Sequence, residues 1–267
     1  MLDDLTQLGL VDEDEIVLDE AALSLALLDH VGRDLTPYHD VLDAIDLRLA
    51  AVAGDTVDAH EQAAALSEVF ADEFGFVGDA QTYDDPANAD LIRVIDRRRG
   101  LPVSLAILYV SAARRLGWFA NVLDVPGHVL VLVGEEAAPV IVDPFRRGII
   151  VDRDRLAAMV VAMDRESPAA VRHVAAMPNR AVLVRLLLNQ ATRAEQSGKG
   201  RRALELYARM TIMAPGYGHA WWERARLELV DGEVDAARQS LTAMLEVTRD
   251  APLRQRVSAT LEALGTR

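Results

Sequence analysis

The segment "SLAILYVSAARRLG" (104–117) is apolar along most of its length, and three short β-branched runs follow it at once. They are "ANVLDV" (120–125), "HVLVLV" (128–133) and "PVIVDPF" (139–145). Pro126-Gly127 separates the first two, and "GEEAAP" (134–139) joins the second and third as a hairpin loop. One helix followed by antiparallel strands predicts an α+β layer arrangement rather than a parallel α/β one.

The flanking segments read as helices. "DEAALSLALLDHV" (19–31) opens on an Asp that suits a cap and keeps a helical apolar period. "DVLDAIDLRLAAVAG" (40–54) places Val41, Ile45, Leu49 and Val52 on one face and stops at Gly54. "DAHEQAAALSEVFADEFGF" (58–76) is a third helix. A turn-rich loop, 77–91, leads to a short helix at 89–99, then the Gly100-Leu-Pro102 break and the apolar helix from about Ser104.

Beyond Pro178 the chain repeats itself. "SGKGRRALELYARM" (197–210) matches "DGEVDAARQSLTAM" (231–244), with Gly198 over Gly232, Ala203 over Ala237 and Met210 over Met244. The 34-residue offset is the tetratricopeptide period, one helix pair per unit. Helices are expected at 180–196, 200–213, 219–230, 234–248 and 252–264.

Half the 267 residues are hydrophobic and a quarter are charged, an ordinary globular balance. There is no cysteine, which excludes disulfides, thiolate metal sites and a cysteine nucleophile. The net charge of −14 is unevenly spread. Residues 1–90 hold 23 acidic and two basic side chains, a net of −21; residues 91–267 hold 19 and 26, a net of +7. The negative total argues against nucleic acid or an anionic membrane as the main partner. The asymmetry fits an acidic segment packed on a more basic remainder; its other reading is a separate partner for each half. The acidic start lacks a signal pattern, and 101–113 is too short to span a bilayer, so a soluble cytoplasmic protein is expected. The six histidines show no metal spacing, and no Gly-rich phosphate loop occurs, so neither metal nor cofactor is expected.

Three polar residues stand at special positions. Ser104 begins the apolar helix, where backbone N–H groups are unpaired and negative charge is favoured. His128 begins the second strand and Asp143 ends the third. If those strands pair as a hairpin, His128 and Asp143 come side by side, facing the helix head, in the layout of a nucleophile–His–Asp triad. The competing reading makes Ser104 an N-cap and Asp143 a turn residue, and the cap is preferred.

The run "FGFVGDAQTYDDPANADL…VIDRRRGLPVSLAILYVSAARRLG…PGHVLVLV…VDPF" resembles the bacterial SirB family, which joins a transglutaminase-like core to tetratricopeptide repeats. That resemblance implies a core of the papain-like cysteine-protease type. It also implies a Cys–His–Asp triad, whose last two positions match His128 and Asp143. The first has no match: the helix head offers Pro102, Val103 and Ser104, and aligning on Gly117 puts the family's Cys nearer Pro102. Asn88, Asp96, Arg97 and Arg98 match the family's motif ahead of the core helix and are candidates for binding a carboxylate-bearing partner. Trp221 and Trp222, on a repeat helix, are candidate anchors for a peptide.

Two domains are therefore expected: a transglutaminase-like α+β domain with N-terminal helices over 1–178, and an all-α tetratricopeptide-type domain over 179–267. The preferred function is non-catalytic interaction with a protein or peptide. The alternative is a Ser104–His128–Asp143 hydrolase or acyltransferase acting on an amide or ester.

Overall fold

The computed structural model describes residues 2–125, 127–135, 138–164 and 175–265. It divides into two units, 16–183 and 1–15 together with 184–267. In the first unit, helix α6 (Pro102–Arg115) is buried at every position from Pro102 to Ala113. A helix apolar on all sides needs cover on all sides. Strands β3 (Ala120–Val125) and β4 (His128–Val133) pack on it, as do helices α2 (Leu18–Leu27) and α3 (Thr36–Ala53).

The sheet is antiparallel, in the order β6-β5-β4-β3-β7, with β5 at Val140–Asp143, β6 at Ile149–Ile150 and β7 at Ala175–Ala176. The expected meander of three strands forms its centre. The two outer strands are only two residues long, too short to carry an alternation in sequence. Of the connections, Pro126 and residues 136–137 lie outside the described residues. Helix α7 (Arg153–Asp164) follows β6.

Three local details differ from the sequence reading. Asp19 does not cap α2, whose N-cap is Val17; it is fully buried and pairs with Arg115 at 2.5 Å. Helix α3 starts at Thr36, with Pro in its first turn, so Asp40 lies inside it. The third expected helix is α4 (Ala59–Ser67), capped by Asp58, which continues as a single wider π turn over Glu68–Glu73.

Two short strands, β1 (Val77–Gly78) and β2 (Arg99–Gly100), pair in parallel on either side of helix α5 (Leu91–Arg97). They clip the turn-rich loop of residues 77–91 against the entrance to α6.

The second unit holds helix α1 (Leu2–Leu10), most of α8 (Asn179–Gln196), α9 (Gly200–Met213), α10 (Gly218–Val230), α11 (Val234–Val247) and α12 (Ala251–Gly265). Helix α1 packs on α9, and a Cβ on Gly9 would stand 2.6 Å from the Ile212 carbonyl oxygen. Residues 1–15 thus group with the C-terminal helices, not with the core domain. The unit boundary also falls after Leu183, inside α8, rather than at 178–179. Asn179, at the first turn of α8, accepts from Arg114 and donates to the Ile16 carbonyl, which ties that turn to the core.

The 34-residue offset holds in three dimensions. α9 and α11 start and end 34 residues apart; Gly198 and Gly232 both turn with positive φ (74° and 80°). Ala203, Ala237, Met210 and Met244 are all buried. Trp221 and Trp222 pack against a cluster formed by Ala225, Ala237, Leu241, Met244 and Val257.

Four carboxylates of the acidic N-terminal segment meet arginines of the later chain. Arg115 pairs with Asp19 and with Asp46 at 3.3 Å, Arg147 with Asp72, and Arg97 with Asp79. Burial pushes the Asp46 carboxyl up to about 6, with Asp19 and Asp43 adding to the rise and Arg115 opposing it. A carboxyl raised in the folded state favours folding below its unfolded value near 3.8, and that contribution is lost as pH climbs through 6. Asp46→Asn therefore gains stability relative to the parent as pH rises from 4 to 7, checked by urea midpoints across that range.

Candidate functional site

The register Val131↔Val142 of the β4–β5 pair, continued, sets Asp143 opposite Leu130, so His128 lies one diagonal step away. The expected pair does meet: His128 Nε2 is 3.0 Å from Asp143 Oδ1. Asp143 is wholly buried, while the His128 side chain keeps 16% exposure. The contact lies off the line of a hydrogen bond, leaving His128 Nε2 and Asp143 Oδ2 without a hydrogen-bond partner among the described residues.

Asp143 is also the turn residue of the competing reading. It caps a 3-10 turn over Pro144–Arg146 by accepting from the Arg146 N–H, and its carbonyl accepts from Gly148. The turn projects Phe145 edge-on to His128 (6.1 Å between ring centres, 89°) and to Tyr83 (5.7 Å, 75°). Gly78 makes room for it, since a Cβ there would meet the Phe145 ring at 2.4 Å. An aromatic wall thus borders the histidine.

The expected third member, Ser104, makes a different contact. Ser104 is fully buried at the third position of α6; the N-cap is Leu101, with Pro102 at the first position. Its hydroxyl accepts no helix N–H among the described residues, so Ser104 is not the N-cap that the sequence reading preferred. Instead Oγ donates to the Asn88 carbonyl at 2.8 Å, an oxygen that also accepts from the Leu101 N–H at 2.9 Å. The reason is local: the loop before α5 crosses the helix head, and its carbonyl needs donors once buried. The other residues at the head, Leu101, Pro102 and Val103, are buried and carry no nucleophile.

The residues singled out for partner binding all make contacts with other parts of the chain, Asn88 buried and Asp96 at the surface. Asn88 is fully buried, donates to the carbonyls of Thr82 and Tyr83, and accepts from Arg97. Arg97 also pairs with Asp79 at 2.9 Å. Asp79 receives the Thr82 N–H and hydroxyl as well. Burial opposes its charge, but these hydrogen bonds and Arg97 outweigh it and hold the carboxyl down at about 2. Asp96 accepts from the Tyr38 hydroxyl and meets Arg33 at 3.5 Å. Arg98, in the left-handed conformation that ends α5, lays its guanidinium over Phe76 at 4.6 Å. Trp221 donates to the Pro215 carbonyl, and Arg256 covers the Trp222 ring at 4.6 Å.

Tyr109, Tyr83 and Phe145 escaped the sequence reading. Tyr109 is buried mid-helix, stacks on Phe70 at 4.4 Å, and its hydroxyl has no hydrogen-bond partner among the described residues. Burial pushes its phenol far above the ordinary range. A polar tip on a wholly apolar helix face was the signal available.

Among the described residues no cluster of three or more His, Asp or Glu is arranged to hold a metal, and no helix is long and apolar enough to cross a membrane.

An α+β core with its central helix against an antiparallel sheet, and a His–Asp pair at the sheet's end, defines a class. The chain belongs to the transglutaminase-like superfamily, whose family model matches residues 36–188. Its relatives include a UPF0162 protein of Xylella fastidiosa (strain 9a5c), 28% identical over 247 residues, which are 90% of this chain and 87% of that one. A UPF0162 protein of Vibrio cholerae is 33% identical over 129 residues, 46% of each chain. F-box only protein 21 of Mus musculus is 33% identical over 67 residues, 25% of this chain and 11% of that protein.

Two predictions follow from the knot around Asn88. Ser104→Ala loses one buried hydrogen bond but leaves the Leu101 donor in place, so it costs about 1 kcal/mol in urea unfolding. Asp79→Asn destabilises at neutral pH. Because the folded carboxyl titrates near 2 and the unfolded one near 3.8, that penalty is full above pH 4 and fades as pH falls through 2. Paired urea titrations at pH 3 and pH 7 read the difference.

Proposed function

We propose that this protein is a non-catalytic member of its superfamily, of the SirB type, that acts by binding a protein or peptide partner. The observation that carries this reading is the Ser104 hydroxyl, fully buried and donating to the Asn88 carbonyl, in a chain without cysteine. A hydroxyl whose hydrogen is committed to a carbonyl has no proton to give to histidine, and serine needs such a base to react. The 34-residue helical repeat supports a tetratricopeptide-type array as the binding part, since repeats of that kind present extended concave surfaces. Localisation in the cytoplasm remains part of this proposal.

The second reading, a hydrolase or acyltransferase, draws on the His128–Asp143 approach at 3.0 Å. It requires Ser104 to leave Asn88 and emerge from the core.

Fluorophosphonate labelling of the full chain separates the two. Labelling is expected to stay at the level of Ser104→Ala, and a partner crosslinked in cells is expected to survive His128→Ala unchanged. Labelling that vanishes in Ser104→Ala, or an esterase activity lost in His128→Ala, overturns the binding reading.

A further inference from the structure

Strand β4 carries His128 at one end and leads at the other into Gly134, one of the residues that line a cleft of about 760 Å³. Six residues of extended chain, at about 3.3 Å each, separate the two places, so the cleft is distinct from the site described above. Its walls come from the α3–α4 connection with the first turn of α4, from the α6–β3 connection, and from Gly134, Glu135 and Ala138.

We propose that this cleft binds a small organic cation, a compound carrying a guanidinium or ammonium group. Four features converge on that chemistry. Asp55, Asp58 and Glu135 line the cleft beside a single histidine, His60, and neither Lys nor Arg does among the described residues. Trp118 and Phe119 line it too, with Phe119 47% exposed, and aromatic faces attract cations.

The cleft also receives the C-terminal end of α6, through Leu116 and Gly117. The Ala112, Ala113 and Arg114 carbonyls there already accept from the Leu116, Gly117 and Trp118 N–H groups, and it is the aligned peptide dipoles that make that end of a helix favour positive charge. The two arginines of its last turn are committed elsewhere. Arg114 bonds to Ala120, Asn121 and Asn179, and Arg115 pairs with Asp19 and Asp46.

The fourth feature is independent of charge. Gln62 lines the cleft, is only 6% exposed, and its Oε1 has no hydrogen-bond partner among the described residues. Its Nε2 makes one long bond, 3.4 Å, to the Thr56 carbonyl. A buried acceptor left unpaired is costly, and an N–H donor seated in the cleft relieves it. The terminal torsion of a glutamine is soft, so the amide can swing toward such a donor. The volume lies within the range of small-molecule sites.

The test uses the full chain and agmatine as the probe, followed by the indole N–H signal of Trp118 in a heteronuclear NMR titration, with neutral N-butylurea as the control. Agmatine is expected to shift that signal to saturation and to bind about tenfold more tightly than N-butylurea. Glu135→Gln, on an exposed loop, is expected to weaken agmatine severalfold and leave N-butylurea unchanged. Gln62→Glu, which adds a charge at the unpaired acceptor, is expected to strengthen it. Equal affinity for the two probes, or agmatine binding indifferent to both substitutions, overturns the proposal. It does not depend on whether Ser104 is reactive.

Discussion

Helix α6 is wrapped in apolar neighbours from Pro102 to Ala113, and the core unit is arranged around that fact. A helix with one wet face needs one partner layer. This one needs a sheet on one side and helices on the other, so the strands after it and the helices before it must both close over it. Valines 129, 131, 133, 140 and 142 are all buried in the two strands nearest the sheet's middle. Burial of each such side chain contributes about 1.5–3 kcal/mol.

Polar groups are gathered at the two ends of that helix, where its backbone is unpaired. At the head, Asp79, Thr82, Asn88, Arg97 and Ser104 bond to one another and to the loop of residues 77–91. At the tail, Arg114 reaches three neutral acceptors and Arg115 reaches two aspartates. The uneven charge of the sequence thereby acquires a structural meaning. Carboxylates of the acidic N-terminal segment meet arginines of the later chain inside one unit, and a buried pair is costly to break from either side.

The same arrangement engages the hydroxyl of Ser104. A catalytic triad needs an exposed nucleophile at the helix head with a free path to the imidazole. Here the loop carbonyl of Asn88 occupies the head and takes the serine's hydrogen, while His128 and Asp143 stay together at the sheet's end. Asp143 has a second reason to be where it is, since it caps the turn that carries Phe145. The pair is therefore held by folding as well as by any chemistry, and its presence alone does not require a reaction.

Much of this architecture was legible in the residues themselves. The period of α6, the alternation in β3 to β5 and the 34-residue repeat of α9 and α11 each extend over enough residues to declare their element, and the absence of cysteine settled the thiol question without coordinates. The two-residue strands β1, β2, β6 and β7 were not legible, because two residues hold no period. Nor was the grouping of α1 with the C-terminal helices, where α1 packs along α9 and Gly9 approaches the Ile212 carbonyl closely. Ser104 looked like a cap or a nucleophile because sequence places it at a helix head. Only the tertiary structure brought the Asn88 carbonyl to it from 16 residues upstream, and a buried carbonyl takes whichever donor lies within reach.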